Sequence, residues 1–295
     1  MIIGLYRKLF PLSFRTRIYN FFLGEFLFFK RNFSVIAKSK VARYFGWFLP
    51  KTEENLAFAF MGKHGITSYP YPYMLEYKNR IITIEHDSEL NLPFIVHNGK
   101  RLYFKEKSKH EEIRTLYKAL ITEQDERAAH RYVKSYSELK GKILLDIGSA
   151  EGIFSLDTIE FTDHVFLFEY DSEWVKPLEA TFAPWKNKVT LIPKYIGEKT
   201  DDISITIDDF LKDKPKENLF IKMDIEGAER RALNGAVETL KNVKSLRMSV
   251  TTYHQKNDPE FISNFVSGYG LQYEFSNGLM YWGKKLSRGI IRIYN

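Results

Sequence analysis

The chain changes its hydrophobic rhythm four times. A dense apolar run, Ile18 to Phe29, is interrupted by Asn20, Gly24 and Glu25. At twelve residues it falls short of the roughly 20 that a membrane-spanning helix needs, and it lacks the small-residue cleavage site of a secretory leader. From Tyr69 to Glu106 the pattern breaks into short β-prone pieces, PYPYM, RIITIEH, LPFIVHN and RLYFKE. The Asn98-Gly99-Lys100 step between the last two predicts a hairpin in a small antiparallel sheet. A helix is expected from about Lys109 to Ser137, where Ile113, Leu116, Leu120 and Ile121 share one face. Its polar section holds Glu123, Gln124, Asp125, His130 and Arg131, read as a solvated face or as a cover over a crevice.

Beyond Gly141, apolar strands alternate with helices: KILLDI, HVFLFEY, VTLIPKY, LFIKMD and SLRMSVTTY, separated by helical stretches near 151–159, 174–182, 207–211 and 227–240. A last helix, 260–267, leads to LQYEF and LMYW, which are expected to close as a terminal hairpin across Ser276, Asn277 and Gly278. Near-continuous apolar strands of this kind predict a mostly parallel sheet covered on both faces, an α/β fold. Three segments follow: 1–50, helical; 51–140, a small β-sheet and helix extension that could act as a lid; and 141–295, the α/β domain.

Composition changes the picture in two ways. The chain has 295 residues and no cysteine, which excludes disulfides and thiolate metal sites. Its net charge of +7 suggests a polyanionic partner, yet residues 1–50 hold nine basic residues against one acid, a net of +8. The remainder is nearly neutral. The same fifty residues hold 14 of the 46 aromatic side chains. A basic, aromatic, interrupted segment suits an anionic membrane interface, or docking of the rings on the protein's own body. Nucleic acid is disfavoured, because no nucleic-acid fold motif accompanies the charge.

The first strand runs into Asp146-Ile-Gly148-Ser149-Ala-Glu151-Gly152 and then a helix. Glycines there permit a sharp turn and close approach of a ligand to the main chain. The spacing is not G-x-G-x-x-G, which disfavours the alternative of a nicotinamide-dependent oxidoreductase. Glu169 ends the second strand, 23 positions after Asp146, near the offset at which an acid meets a ribose hydroxyl. The fourth strand ends in Lys222-Met-Asp224-Ile-Glu226-Gly227-Ala-Glu229, placing acids at the crevice edge of a parallel sheet. Glu226 and Glu229 could also oppose a positive helix terminus, and Asp208 and Asp209 could cap a short helix.

The stretches D-I-G-S-A-E-G, F-E-Y-D and K-M-D-I-E-G-A-E, with T-Y-H at Thr252 to His254, resemble the FkbM family of S-adenosylmethionine-dependent methyltransferases. The resemblance implies a class I methyltransferase fold, Rossmann-like, with strand order 3-2-1-4-5-7-6. It implies cofactor binding by Asp146, Gly148, Ser149, Glu151, Gly152, Glu169, Tyr170 and Asp224, with Glu169 on the ribose and Asp146 and Gly148 near the methionine portion. Ser149, Glu151 and Tyr170 depart from the commoner family pattern of alanine, asparagine and proline. Family members methylate hydroxyls of sugars and natural products, so the implied acceptor is a saccharide, glycolipid or related polyhydroxyl compound.

A hydroxyl is a weak acid, so a base or a bound cation would assist its methylation. Candidate catalytic residues are Asp224, Glu226 and His254, and the same three could hold Mg2+. The expected location is cytoplasmic, peripheral at the inner face of a membrane. A non-catalytic membrane-associated scaffold with the same fold is the competing reading.

Overall fold

The computed structural model describes Leu27, Lys30, residues 32–214 and residues 216–295. Apart from Leu27, the Ile18 to Phe29 run lies outside the described residues. The chain divides into two compact units, Met1–Pro70 and Tyr71–Asn295.

In the first unit, helix α1 (residues 32–45) buries Val35, Ser39 and Ala42 at helical spacing. Helix α2 (Glu53–His64) begins at Thr52, whose side chain accepts from the Asn55 amide, with Glu53 and Glu54 in its first turn and Lys63 and His64 in its last. Gly62 lets the two helices touch, since a Cβ there would lie 2.2 Å from the Ser39 carbonyl oxygen. Arg43 locks the contact by donating to the Gly62 carbonyl at 2.9 Å. No helix among the described residues is long and apolar enough to cross a membrane.

The second unit opens with α3 (Met74–Lys78), where the PYPYM stretch forms a turn and a helix start instead of a strand. Strands β1 (Glu85–Asp87), β2 (Leu92–His97) and β3 (Lys100–Tyr103) form a small antiparallel sheet. Its β2–β3 turn places Asn98 and Gly99 at φ 50° and 79°, as a two-residue hairpin of primed type requires. Helix α4 (His110–Glu123) ends well before Ser137. Asp125 accepts from the Arg127 amide at 2.8 Å, and this local bond competes with continued helix. The 3-10 turn Tyr136–Leu139 completes the approach to the main sheet.

The main sheet comprises β4 (Ile143–Ile147), β5 (His164–Phe168), β6 (Val189–Ile192), β9 (Leu219–Met223), β10 (Arg247–Thr251), β11 (Gln272–Phe275) and β14 (Ile290–Tyr294). Its order is β11-β14-β10-β9-β4-β5-β6, parallel except for β14, which runs antiparallel to β10 and β11. Counted along the chain this is 3-2-1-4-5-7-6. Helices α5 (Ile153–Thr158), α6 (Ser172–Phe182), α7 (Ile207–Phe210), α8 (Glu229–Asn234), α9 (Val237–Asn242) and α10 (Asp258–Ser267) intervene. Alternate strand residues feed two cores: Leu145, Ile147, Ile221 and Met223 on one face, Leu144, Val165, Leu167 and Phe220 on the other. Burial on both faces accounts for the near-continuous apolar runs.

Two short pairs complete the fold: β7 (Tyr195–Ile196) with β8 (Ser204–Ile205), and β12 (Met280–Trp282) with β13 (Lys285–Ser287). The terminal antiparallel pairing therefore differs in partner from the sequence expectation. β11 pairs with β14, and LMYW folds back on Lys285–Ser287 instead.

Candidate active site

The parallel order reverses between β4 and β9, because β4 leads to β5 on one side while β9 and β10 lie on the other. A crevice forms at the carboxyl ends of such a pair. Gly148 leaves β4 at φ 76°, and a Cβ there would meet the Asp224 carbonyl oxygen at 2.0 Å. Only glycine lets these two strand ends approach so closely. Gly152, at φ 80°, performs the second turn, into α5.

Asp146 lies beneath this loop, 1% exposed. Ser155 donates to it at 2.6 Å, and Lys222 Nζ lies 3.0 Å from its other oxygen while donating to the Gly148 carbonyl at 2.5 Å. Asp146 thus acts on the loop from below, through the buried Lys222. Ser149 is also buried, its hydroxyl 3.5 Å from the Phe168 carbonyl. Glu151 is 5% exposed, and burial pushes its carboxyl up to about 8.

Glu169 stands half-buried just past β5. It accepts from the Ala150 amide at 2.9 Å and the Asp171 amide at 2.8 Å, one bond per oxygen, which fixes the carboxylate against the glycine loop. Each oxygen retains a lone pair for another donor. Tyr170, exposed, stacks on Tyr195 with ring centroids 4.0 Å apart.

The D-I-E-G-A-E stretch separates its acids by role. Glu229 is buried and accepts from the Ile225 amide, the Thr251 hydroxyl and His254 Nδ1, at 3.1, 2.9 and 2.8 Å. That bond leaves His254 Nε2 directed away from Glu229. Nε2 is buried without a hydrogen-bond partner, 3.8 Å from Asp224 Oδ1 and 3.5 Å from Glu226 Oε2. Glu226 sits at φ 52° with its side chain 82% exposed. Burial pulls the His254 imidazole down, but the Glu229 bond and the Asp224 and Glu226 charges outweigh it and hold the pKa above the usual 6.5. Oxygen and nitrogen atoms of Asp224, Glu229 and His254 come within 4.8 Å of one another.

Two participants lie where the sequence pattern predicted a polar helix face. Tyr132 donates to Asp224 Oδ2 at 2.7 Å, and His130 Nε2 lies 3.4 Å from the same oxygen. Tyr253 OH meets that His130 nitrogen at 2.9 Å. Gln124, His130, Arg131 and Tyr132 are all buried. Burial raises the Asp224 pKa, and His130, Lys222 and His254 more than reverse it, holding the carboxyl well below the usual range. The one clue in the sequence was three polar or aromatic residues in succession, His130-Arg131-Tyr132, without helical amphipathy. Asp208 accepts from the Glu238 and Thr239 amides and so caps α9, away from this crevice.

A seven-stranded 3-2-1-4-5-7-6 sheet with a glycine loop after its first strand and acids after its first, second and fourth defines a class I methyltransferase. The chain belongs to the methyltransferase FkbM domain family, whose model matches residues 62–273. It is an S-adenosylmethionine-dependent methyltransferase, and the nicotinamide reading falls away.

None of the curated proteins matches the chain. Among solved structures it is similar to the magnesium protoporphyrin IX methyltransferase of Synechocystis PCC 6803 with bound S-adenosylmethionine, at 12% identity, 63% of this chain, 82% of that one and a TM-score of 0.41. It is also similar to the precorrin-6y C5,15-methyltransferase of Geobacter metallireducens GS-15, at 13% identity, 54% and 84% coverage and a TM-score of 0.36. The ribosomal protein L11 methylase of Lactobacillus delbrueckii subsp. bulgaricus gives 12%, 53%, 70% and 0.34.

The donor set fits the cofactor. Glu169 is a fixed carboxylate with lone pairs left to accept from hydroxyls such as those of a ribose.

Proposed function

We propose that the protein methylates a hydroxyl of a saccharide or related polyhydroxyl acceptor, with His254 as general base. The observation that carries this reading is the buried, unpartnered His254 Nε2, held by Glu229 and facing Asp224 and Glu226. Glu169 and Tyr170 with the loop 146–152 would hold the cofactor, which supplies an already activated methyl group. His254 Nε2 takes the proton of the acceptor hydroxyl, while Nδ1–H keeps donating to Glu229 and the Glu229 charge stabilises the resulting imidazolium. Tyr132 and His130 keep Asp224 ionised and aimed at the crevice. Glu226, mostly exposed, would accept from another acceptor hydroxyl.

Transfer of labelled methyl from S-adenosylmethionine to a cell glycan extract tests the proposal. His254→Ala is expected to lower the rate by about 10²- to 10⁴-fold, the usual worth of a general base. In the wild type the rate should rise with pH through a value above 6.5, because the base must be neutral. Label that is absent with wild type, or unchanged in His254→Ala, sinks the assignment and favours a scaffold. Mg2+ prefers an octahedral set of oxygens, so EDTA is expected to leave the rate unchanged. Loss with EDTA and recovery with Mg2+ would point to a cation site, for which the structure brings together Asp224, Glu229 and His254 in place of the expected Asp224, Glu226 and His254.

The first unit supports a further reading, reversible binding to anionic membrane on the cytoplasmic side. Phe33, Val41, Tyr44, Phe45, Trp47 and Phe48 are exposed, Trp47 at 77%, and Lys38, Lys40, Arg43 and Lys51 are exposed among them. Aromatics interleaved with cations suit a headgroup interface. Flotation with phosphatidylglycerol-containing vesicles should recover the full chain and lose it after Trp47→Ser with Phe48→Ser. Equal recovery of both removes the idea.

A further inference from the structure

The hairpin β12–β13 places one large aromatic side chain beside the proposed base. Along β12, Met280 and Tyr281 are buried and Trp282 is 41% exposed. The turn that follows has Gly283 at φ 54° and Lys284 at φ 69°, the two left-handed positions of a tight hairpin. The frame is fixed on both sides: Lys285 Nζ donates to the Gln255 carbonyl at 3.0 Å, and the Leu279 amide donates to Tyr71 OH at 2.7 Å. The Trp282 ring is steeply inclined to His254, with centroids 6.3 Å apart at 80°, and to Tyr253, at 5.5 Å and 66°. A partly exposed indole therefore lies beside the imidazole that would take the acceptor proton.

We infer that Trp282 is the platform on which the acceptor ring stacks, and that this ring carries no negative charge next to the reacting hydroxyl. The inference rests on the saccharide reading above and deepens it. One face of a pyranose is a row of weakly polarised C–H groups, which pack on the electron-rich face of an aromatic ring, while its hydroxyls project from the rim. Indole is the strongest such face among the side chains and loses little entropy on being covered. Rim hydroxyls then meet Asp224 and Glu226, which only accept. The same two carboxylates, with Glu229 behind His254, repel an acceptor bearing a carboxylate or phosphate at that edge. Aromatic face and acids together select a neutral polyhydroxylated ring over a uronate or sugar phosphate of the same shape.

The test measures labelled methyl transfer to methyl glycosides of glucose, galactose, mannose and rhamnose, and to the matching uronates and sugar 6-phosphates, in wild type, Trp282→Phe and Trp282→Ala. Titration with S-adenosylmethionine accompanies each variant. The platform predicts neutral glycosides preferred over charged ones. It also predicts an acceptor KM raised about tenfold or more in Trp282→Ala, substantially restored in Trp282→Phe, with cofactor affinity unchanged in both. An unchanged acceptor KM in Trp282→Ala, or a preference for the anionic sugars, overturns it. Cofactor binding by the wild type with no transfer to any sugar defeats the saccharide reading itself, and the platform with it.

Discussion

Glu151 sits in the glycine loop as an acid 5% exposed, where burial pushes its carboxyl up to about 8. The unfolded chain would titrate it near 4.5. Folding therefore favours the protonated form: the stability this group contributes is present in full below about pH 4.5 and is lost as pH rises through about 8. Glutamine has the same shape and no charge to bury. Thermal unfolding of Glu151→Gln should match wild type near pH 4 and exceed it at pH 8.5, on the order of 2–4 °C for each kcal/mol of relieved burial. A difference independent of pH would contradict the assignment. His254 has the same sign for a different reason, since Glu229, Asp224 and Glu226 raise it against its own burial. Its protonated form adds stability below 6.5 that disappears as pH rises through the folded value, the direction in which the proposed base becomes active. The exchange of stability for reactivity is local to one ring.

At the scale of elements, what was legible in the sequence was what depends on neighbours along the chain. β4 and β9 are buried on both faces, and their apolar runs and terminal acids were visible without any partner. The Asn98-Gly99 hairpin followed from backbone chemistry alone. Residues 124–132 were not legible, because their burial depends on contacts with strands more than 90 positions away, as in the Tyr132 bond to Asp224. The roles of Glu226 and Glu229 were likewise hidden. Spacing alone does not say that one carboxylate faces solvent while the other turns inward to hold His254. The terminal pairing departs from the expected LQYEF–LMYW hairpin because β14, Ile290 to Tyr294, supplies the buried strand that β11 needs, while Gly283 and Lys284 let β12 turn onto β13. The 227–240 helix is two helices, broken near Gly235, where a Cβ would strike the Gly197 carbonyl at 2.2 Å.

Over the whole molecule, charge is segregated by task. The first fifty residues carry more than the entire net charge of +7, and their described part displays aromatics and cations together. The strand ends differ: Asp224 and Glu226 follow β9 and Glu169 follows β5, while Glu151 is buried and held toward its neutral form and Lys222 is committed to Asp146. A protein read only from its total charge would be assigned a polyanion as ligand, whereas the fold and the family point to S-adenosylmethionine. Isothermal titration of S-adenosylmethionine into wild type and Glu169→Ala tests that claim most directly. One site per chain is expected, weakened at least about tenfold, roughly 1.4 kcal/mol, by removal of the Glu169 carboxylate. No binding to wild type, or the same affinity in Glu169→Ala, would contradict it.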